Sequence, residues 1–160
     1  MAYLIDGNNF LGHISPSSRN TPRSRYNLII RLLKFQRVKR TRIILVFDGS
    51  PDPNLMEKQL HRKRFSLLYP HPGESADERI KEVILKETDL RRFYVVSSDR
   101  ALQRFARSKG AKTLYCEEFK RELTKALRAY NKAQDEEKNI PSPSSLEVAQ
   151  WLEVFSGKND

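Results

Sequence analysis

Four aspartates stand where strands and a helix would gather them. Asp6 follows Tyr3-Leu4-Ile5, Asp48 follows Leu45-Val46-Phe47, and Asp99 follows Val95-Val96-Ser97-Ser98. Asp77 falls in the first turn of a helical stretch opening at Ser75. In a parallel sheet the carboxyl ends of the strands share one edge, and chemistry sits there. Carboxylates gathered without cations between them repel, which raises their pKa values. A divalent cation removes that penalty, and oxygen ligands without Cys or His suit Mg²⁺ or Mn²⁺. Such an ion can activate water for attack on phosphorus. Each aspartate also has a structural use: Asp99 as a helix N-cap, Asp48 and Asp6 as turn formers, Asp77 at a helix dipole. Three aspartates at three strand ends together favour the metal site. Asn8, Ser97 and Ser98 are supporting polar candidates, the serines as partners of Asp99 or a phosphate, with Asn9 preferred as a turn residue and Ser98 alternatively a cap. Glu78 has the spacing of a capping box with Ser75, and Glu74 and Glu78 are outer candidates for the acidic set.

The cations are unevenly placed. Between Asp6 and Asp48 lie nine of the 30 basic residues and none of the 20 acidic ones, in a chain of net charge +10. They are Arg19, Arg23, Arg25, Arg31, Lys34, Arg37, Lys39, Arg40 and Arg42. The rest of the chain is nearly neutral, so the positive excess reads as one early segment. A concentrated basic stripe is the footprint of a phosphate-backbone partner. Arg19, Arg23 and Arg25 are expected in a loop near the acidic edge. Arg37, Lys39 and Arg40 are expected at the opposite edge, where the chain turns back into the second strand.

At 160 residues and 38% apolar content, one compact domain is expected. No apolar run approaches the roughly 20 residues of a membrane span, and the N-terminus lacks the pattern of a signal peptide. A single cysteine, Cys116, leaves no disulfide within the chain and reads as a small buried residue. His13, His61 and His71 show no ligand spacing and are expected on the surface. A soluble, cytoplasmic protein follows as the expectation.

Short apolar runs at 2–5, 42–47, 65–69, 93–96 and 112–115 read as strands. Helical spacing covers about 24–38, 75–88, 100–109 and 117–134, with Gly110 as a C′ stop. Asp6-Gly7-Asn8-Asn9 reads as a turn, and 52–64 as a short helix or mobile loop. A polar stretch, 135–145, precedes a last helix at about 146–155 carrying Trp151. The expected division is one domain over 1–135, with a linker and C-terminal helix over 136–160 packing on it. Strands alternating with helices predict a parallel sheet covered on both faces.

With Asp6-Gly7-Asn8-Asn9, Phe47-Asp48-Gly49, Ser75-Ala76-Asp77 and Ser97-Ser98-Asp99 in that order, the chain resembles the NYN branch of the PIN-like nucleases, and within it the YacP-like group. Gly110-Ala111 and Glu117-Glu118-Phe119 fit the same pattern, and the resemblance covers roughly residues 2 to 130. It implies a three-layer α/β/α sandwich with a mainly parallel, about five-stranded sheet. It also implies a metal-dependent ribonuclease, most often endonucleolytic, with one or two Mg²⁺ or Mn²⁺ ions. Asp6, Asp77 and Asp99 would be its core carboxylates and Asp48 an accessory acid. RNA is the implied partner and the ribosome a candidate one; no membrane is involved, and the state is monomer or homodimer. The rival from another class is a PIN-like module that binds RNA or ribosomes without cutting. The intact aspartates favour catalysis, since acids beside a phosphate do nothing for a pure binder.

Overall fold

A computed structural model describes residues 1–14, 20–51 and 64–138. Its strands are β1 (Ala2–Asp6), β2 (Arg42–Val46), β3 (Phe65–Leu68), β4 (Phe93–Val96) and β5 (Lys112–Leu114). They form one sheet in the order β3-β2-β1-β4-β5, and every pairing is parallel. Among the described residues the helices are α1 (Gly7–Ile14), α2 (Pro22–Lys39), α3 (Ala76–Lys86), α4 (Arg100–Ser108) and α5 (Cys116–Lys138).

The strands are apolar on both sides because both sides are covered. Tyr3, Ile5, Ile43 and Leu45 face a cluster with Phe10, Leu28, Phe35 and Phe119, from α1, α2 and α5. Their sequence neighbours Ala2, Leu4, Ile44 and Val46 join a second cluster with Ile80, Ile84, Leu102 and Ala106, from α3 and α4. This alternation is the period of two that a pleated strand imposes. Aromatic rings lock the first layer: Phe119 lies 5.2 Å from Phe35, 5.3 Å from Phe10 and 5.3 Å from Tyr3, centroid to centroid.

The chain winds from β1 outward to β2 and β3, then returns to place β4 and β5 on the other side. The order therefore reverses between β1 and β4, which opens a crevice beyond their carboxyl ends.

Three expectations change. Asp6-Gly7-Asn8-Asn9 is not a turn: α1 begins at Gly7, because Phe10 and Leu11 must enter the core. Arg23 and Arg25 do not lie in a loop but in the first turn of α2. There Pro22 stands at the helix start, and Thr21 caps it reciprocally with Ser24. α5 runs on to Lys138, so Asp135, Glu136 and Glu137 are helical rather than linker. The chain divides into a unit of Met1–Tyr130 and a second of Asn131–Asp160, in which 131–138 is helix. Arg19, His61, Trp151, the stretch 52–63 and the expected helix at 146–155 lie outside the described residues. No helix among the described residues is long and apolar enough to cross a membrane.

Candidate active site

Asp6 ends β1 at the point where strand order reverses. Its Oδ2 accepts from the Ser97 hydroxyl at 3.1 Å, and the Ser97 oxygen accepts from the Asp99 backbone N–H at 3.1 Å. Ser97 is fully buried, and its carbonyl is held by the Gln103 side-chain amide at 2.7 Å. One buried hydroxyl thus joins the aspartates that end β1 and follow β4. The supporting serine is Ser97; the Ser98 hydroxyl accepts from the Cys116 N–H at 3.1 Å, pinning the start of α5.

The two asparagines divide the support. Asn8 Oδ1 accepts from the Asp48 backbone N–H at 3.2 Å. Asn9 Oδ1 accepts from the Ser98 N–H at 2.8 Å and from the Cys116 thiol at 3.1 Å. Asn9, expected to be only a turn residue, therefore ties α1 to the ends of β4 and β5. Burial pushes the Cys116 thiol up, which suits its structural place.

Asp48 and Asp99 each commit one oxygen to a helix start. Asp48 Oδ1 accepts from the Ala76 N–H at 2.9 Å, and Asp99 Oδ1 caps α4 through Ala101 and Leu102 at 2.9 and 3.1 Å. Among the described residues the other oxygen of each carboxylate has no hydrogen-bond or ion-pair partner. Asp77 pairs with Lys81 one turn along α3, at 3.0 Å. The Glu78 N–H donates to Ser75 Oγ at 3.2 Å, and the Glu78 side chain is exposed. Burial pushes the Asp6 carboxyl up to about 6, and the charges of Asp48 and Asp77 add to it, against the Ser97 and Asn9 hydrogen bonds. No cation pairs with Asp6 among the described residues.

Arg25 reaches this edge. Its guanidinium lies 4.7 Å above the Phe47 ring, and Nη2 donates to the Asp48 carbonyl at 3.4 Å. Arg23 lines a groove between α1 and α2 with Thr21, Asn27 and Arg31. Arg37, Lys39 and Arg40 are exposed at the far end of α2, with Arg40 in the left-handed region at φ 50°.

Sequence spacing missed a second group. Among the described residues, the trio of metal-ligating side chains whose donor atoms all lie within 4.8 Å is His71, Glu74 and Glu82, not three of the aspartates. Arg79 already supplies a cation there, 3.0 Å from Glu82, which accounts for the group as an ion-pair network. It joins the loop after β3 to α3, so only the tertiary fold reveals it.

In a doubly wound α/β sandwich ligands bind in the crevice at the switch point, and here that crevice is edged by Asp6, which has no cation partner among the described residues. The family model for the YacP-like NYN domain matches residues 3–152, and the chain belongs to that family, within the PIN-like nuclease superfamily. Solved structures of Rae1 (YacP) from Bacillus subtilis are similar to it. One, at 23% identity, covers 97% of this chain and 92% of that one with a TM-score of 0.70. Its W164L mutant, also at 23% identity, covers 88% and 86% with a TM-score of 0.68. At that identity the likeness shows the fold. No curated protein matches the chain.

Proposed function

We propose that this protein is a metal-dependent ribonuclease that cuts RNA internally at the Asp6 edge. The observation that carries this is Asp6: half-buried, without a cation partner among the described residues, and pushed up to about 6 by burial and by Asp48 and Asp77. A carboxylate so placed costs stability unless a cation arrives. The donor set, all carboxylate oxygen, fits Mg²⁺ or Mn²⁺, held by Asp6, Asp77 and Asp99 with Asp48 as accessory. When bound, one or two such ions supply charge neutralisation at phosphorus and a more acidic water.

The chain's own residues position the rest. Ser97 fixes the rotamer of Asp6, and the Asp99 N–H fixes Ser97. Asn8 holds the backbone of Asp48, and Asp48 holds the first turn of α3, which carries Asp77. Arg23 and Arg25, at the same edge, take the phosphates that flank the scissile bond. RNA is the partner and the cytoplasm the compartment, consistent with a lone, buried, unpaired cysteine. The test is incubation with single-stranded and structured RNA in Mn²⁺, Mg²⁺ or EDTA. Internal cuts should appear with a divalent ion and vanish in EDTA; no cutting with either ion overturns the reading.

The basic residues give a second expectation. Arg23→Ala with Arg25→Ala should weaken binding of a short single strand and lower its salt slope by about 0.7 per lost phosphate contact. Arg37→Ala, Lys39→Ala and Arg40→Ala together should leave that short strand unaffected. Affinity measured across a salt series separates the two, and an equal loss from both sets would remove the distinction between the edges.

A further inference from the structure

The layer built by α1, α2 and α5 carries cations that the fold does not use. On α5, Lys120, Arg121, Lys125 and Arg128 are exposed and line one shallow groove with Thr124 and Glu117. They occupy the outer face, since Phe119, Leu123 and Ala126 fill the core on the inner one. Of the acids beside them in sequence, Glu117 shares the groove while also facing His13, and Glu118 and Glu122 are engaged elsewhere. Glu117 sits 3.8 Å from His13, Glu118 Oε1 accepts from the Tyr115 N–H at 3.1 Å, and Glu122 accepts from the Tyr3 hydroxyl at 3.4 Å.

α2 packs alongside and contains no acid; its Phe35 meets Phe119, and its Lys34 lies 5.4 Å from the Tyr130 ring. A few cations elsewhere in the fold are paired, Arg79 with Glu82 at 3.0 Å, Lys81 with Asp77 at 3.0 Å, and Arg42 with Glu87. Among the described residues, none of the four α5 cations has an acidic partner. Unpaired cations massed on one face attract a phosphate chain and gain from the counterions it releases.

We propose that the outer face of α5 is a second RNA-binding surface, holding the phosphate backbone of RNA beyond the strand at the Asp6 edge. It rests on the ribonuclease reading for its choice of polyanion. α5 starts at that edge, where the Cys116 N–H meets Ser98, so a chain leaving the site meets Lys120 first. From Lys120 to Arg128 the helix advances about 12 Å at about 1.5 Å per residue. The substrate class is therefore RNA long enough to cover both edge and stripe; a short oligonucleotide occupies the edge alone.

The test compares wild type, a fourfold variant (Lys120→Ala, Arg121→Ala, Lys125→Ala, Arg128→Ala) and a charge-keeping variant (Lys120→Arg, Lys125→Arg). Binding of a long RNA, a short single strand and poly-glutamate is measured in EDTA across a salt series. Cleavage of the short strand in Mn²⁺ is measured separately. The fourfold variant should bind the long RNA at least about tenfold more weakly, with the salt slope reduced by up to about 3, at about 0.7 per phosphate. Short-strand binding and cleavage should not change, and the charge-keeping variant should bind as wild type. Alanine favours helix, so the fourfold variant should melt as wild type. Unchanged long-RNA affinity and slope overturn the proposal. So does an equal loss for the short strand, or poly-glutamate binding as tight as RNA and lost with the same substitutions. Binding is read without turnover, so a protein that cuts nothing still tests the surface, and short-strand cleavage tests the nuclease reading alone.

Discussion

Asp6→Asn should lose RNA cleavage by at least about a hundredfold while making the metal-free protein more stable. Loss of activity follows from removing a carboxylate that the proposed ion requires, since even outer partners of metal ligands cost about 10–100-fold. The stability gain follows from the carboxyl being pushed from 3.8 to about 6. A carboxyl whose folded pKa lies above its unfolded one is held protonated more tightly by the native state. Its ionisation therefore costs nothing at low pH, and the cost grows as pH rises from about 4 through about 6. The full cost above that window is about 3 kcal/mol, or about 6–12 °C in melting temperature for a chain of this size. Thermal melting in EDTA at pH 8 should show the gain, and at pH 4.5 it should shrink to about a third. A variant that melts below wild type at pH 8 would mean that the hydrogen bonds from Ser97 and Asn9, not burial and repulsion, dominate Asp6.

Gly7→Ala should destabilise the protein by about 3 kcal/mol or more, beyond the usual cost of overpacking a core. A Cβ there would stand 2.5 and 2.6 Å from two ring carbons of Phe47 and 2.8 Å from the Val46 carbonyl oxygen. The ring can turn only by giving up its contact with Arg25, and the carbonyl belongs to the end of a central strand. Gly7 follows Asp6 directly, so any relief moves the acid as well. Chemical denaturation measures the first effect. Cleavage at a temperature where the variant is fully folded measures the second, and it should fall in parallel.

The sheet was legible because each strand is a short apolar run that stops at a turn or helix start. The aspartates were legible for the same reason: a strand's end is visible in sequence, and parallel pairing sends the ends to one edge. α1 was not legible, since Gly7, Asn8 and Asn9 favour turns locally. The burial of Phe10 and Leu11 and the contact of Gly7 with Phe47 override that preference, and both are tertiary. Nor does sequence distinguish Ser97 from Ser98. The pleat decides, turning the first to Asp6 and leaving the second for Cys116. Charge arithmetic placed the positive excess in 19–42 alone. It missed α5 because that helix holds six acids against six bases, although Glu117, Glu118 and Glu122 also contact His13, Tyr115 and Tyr3.

The central position of β1 sets when this site can exist during synthesis. β1 pairs Ala2 with Phe93, Ser97 reaches back 91 residues to Asp6, and Cys116 reaches back 107 to Asn9. Contacts so distant along the chain close late, and β1 has no β4 until most of the protein has been made. At about 5–20 residues per second, about 5–20 s separate the synthesis of Asp6 from that of Cys116. Through that interval Asp6 has neither Ser97 to orient it nor Asp99 to follow β4, so the nascent chain carries its acidic residues without the site that gathers them.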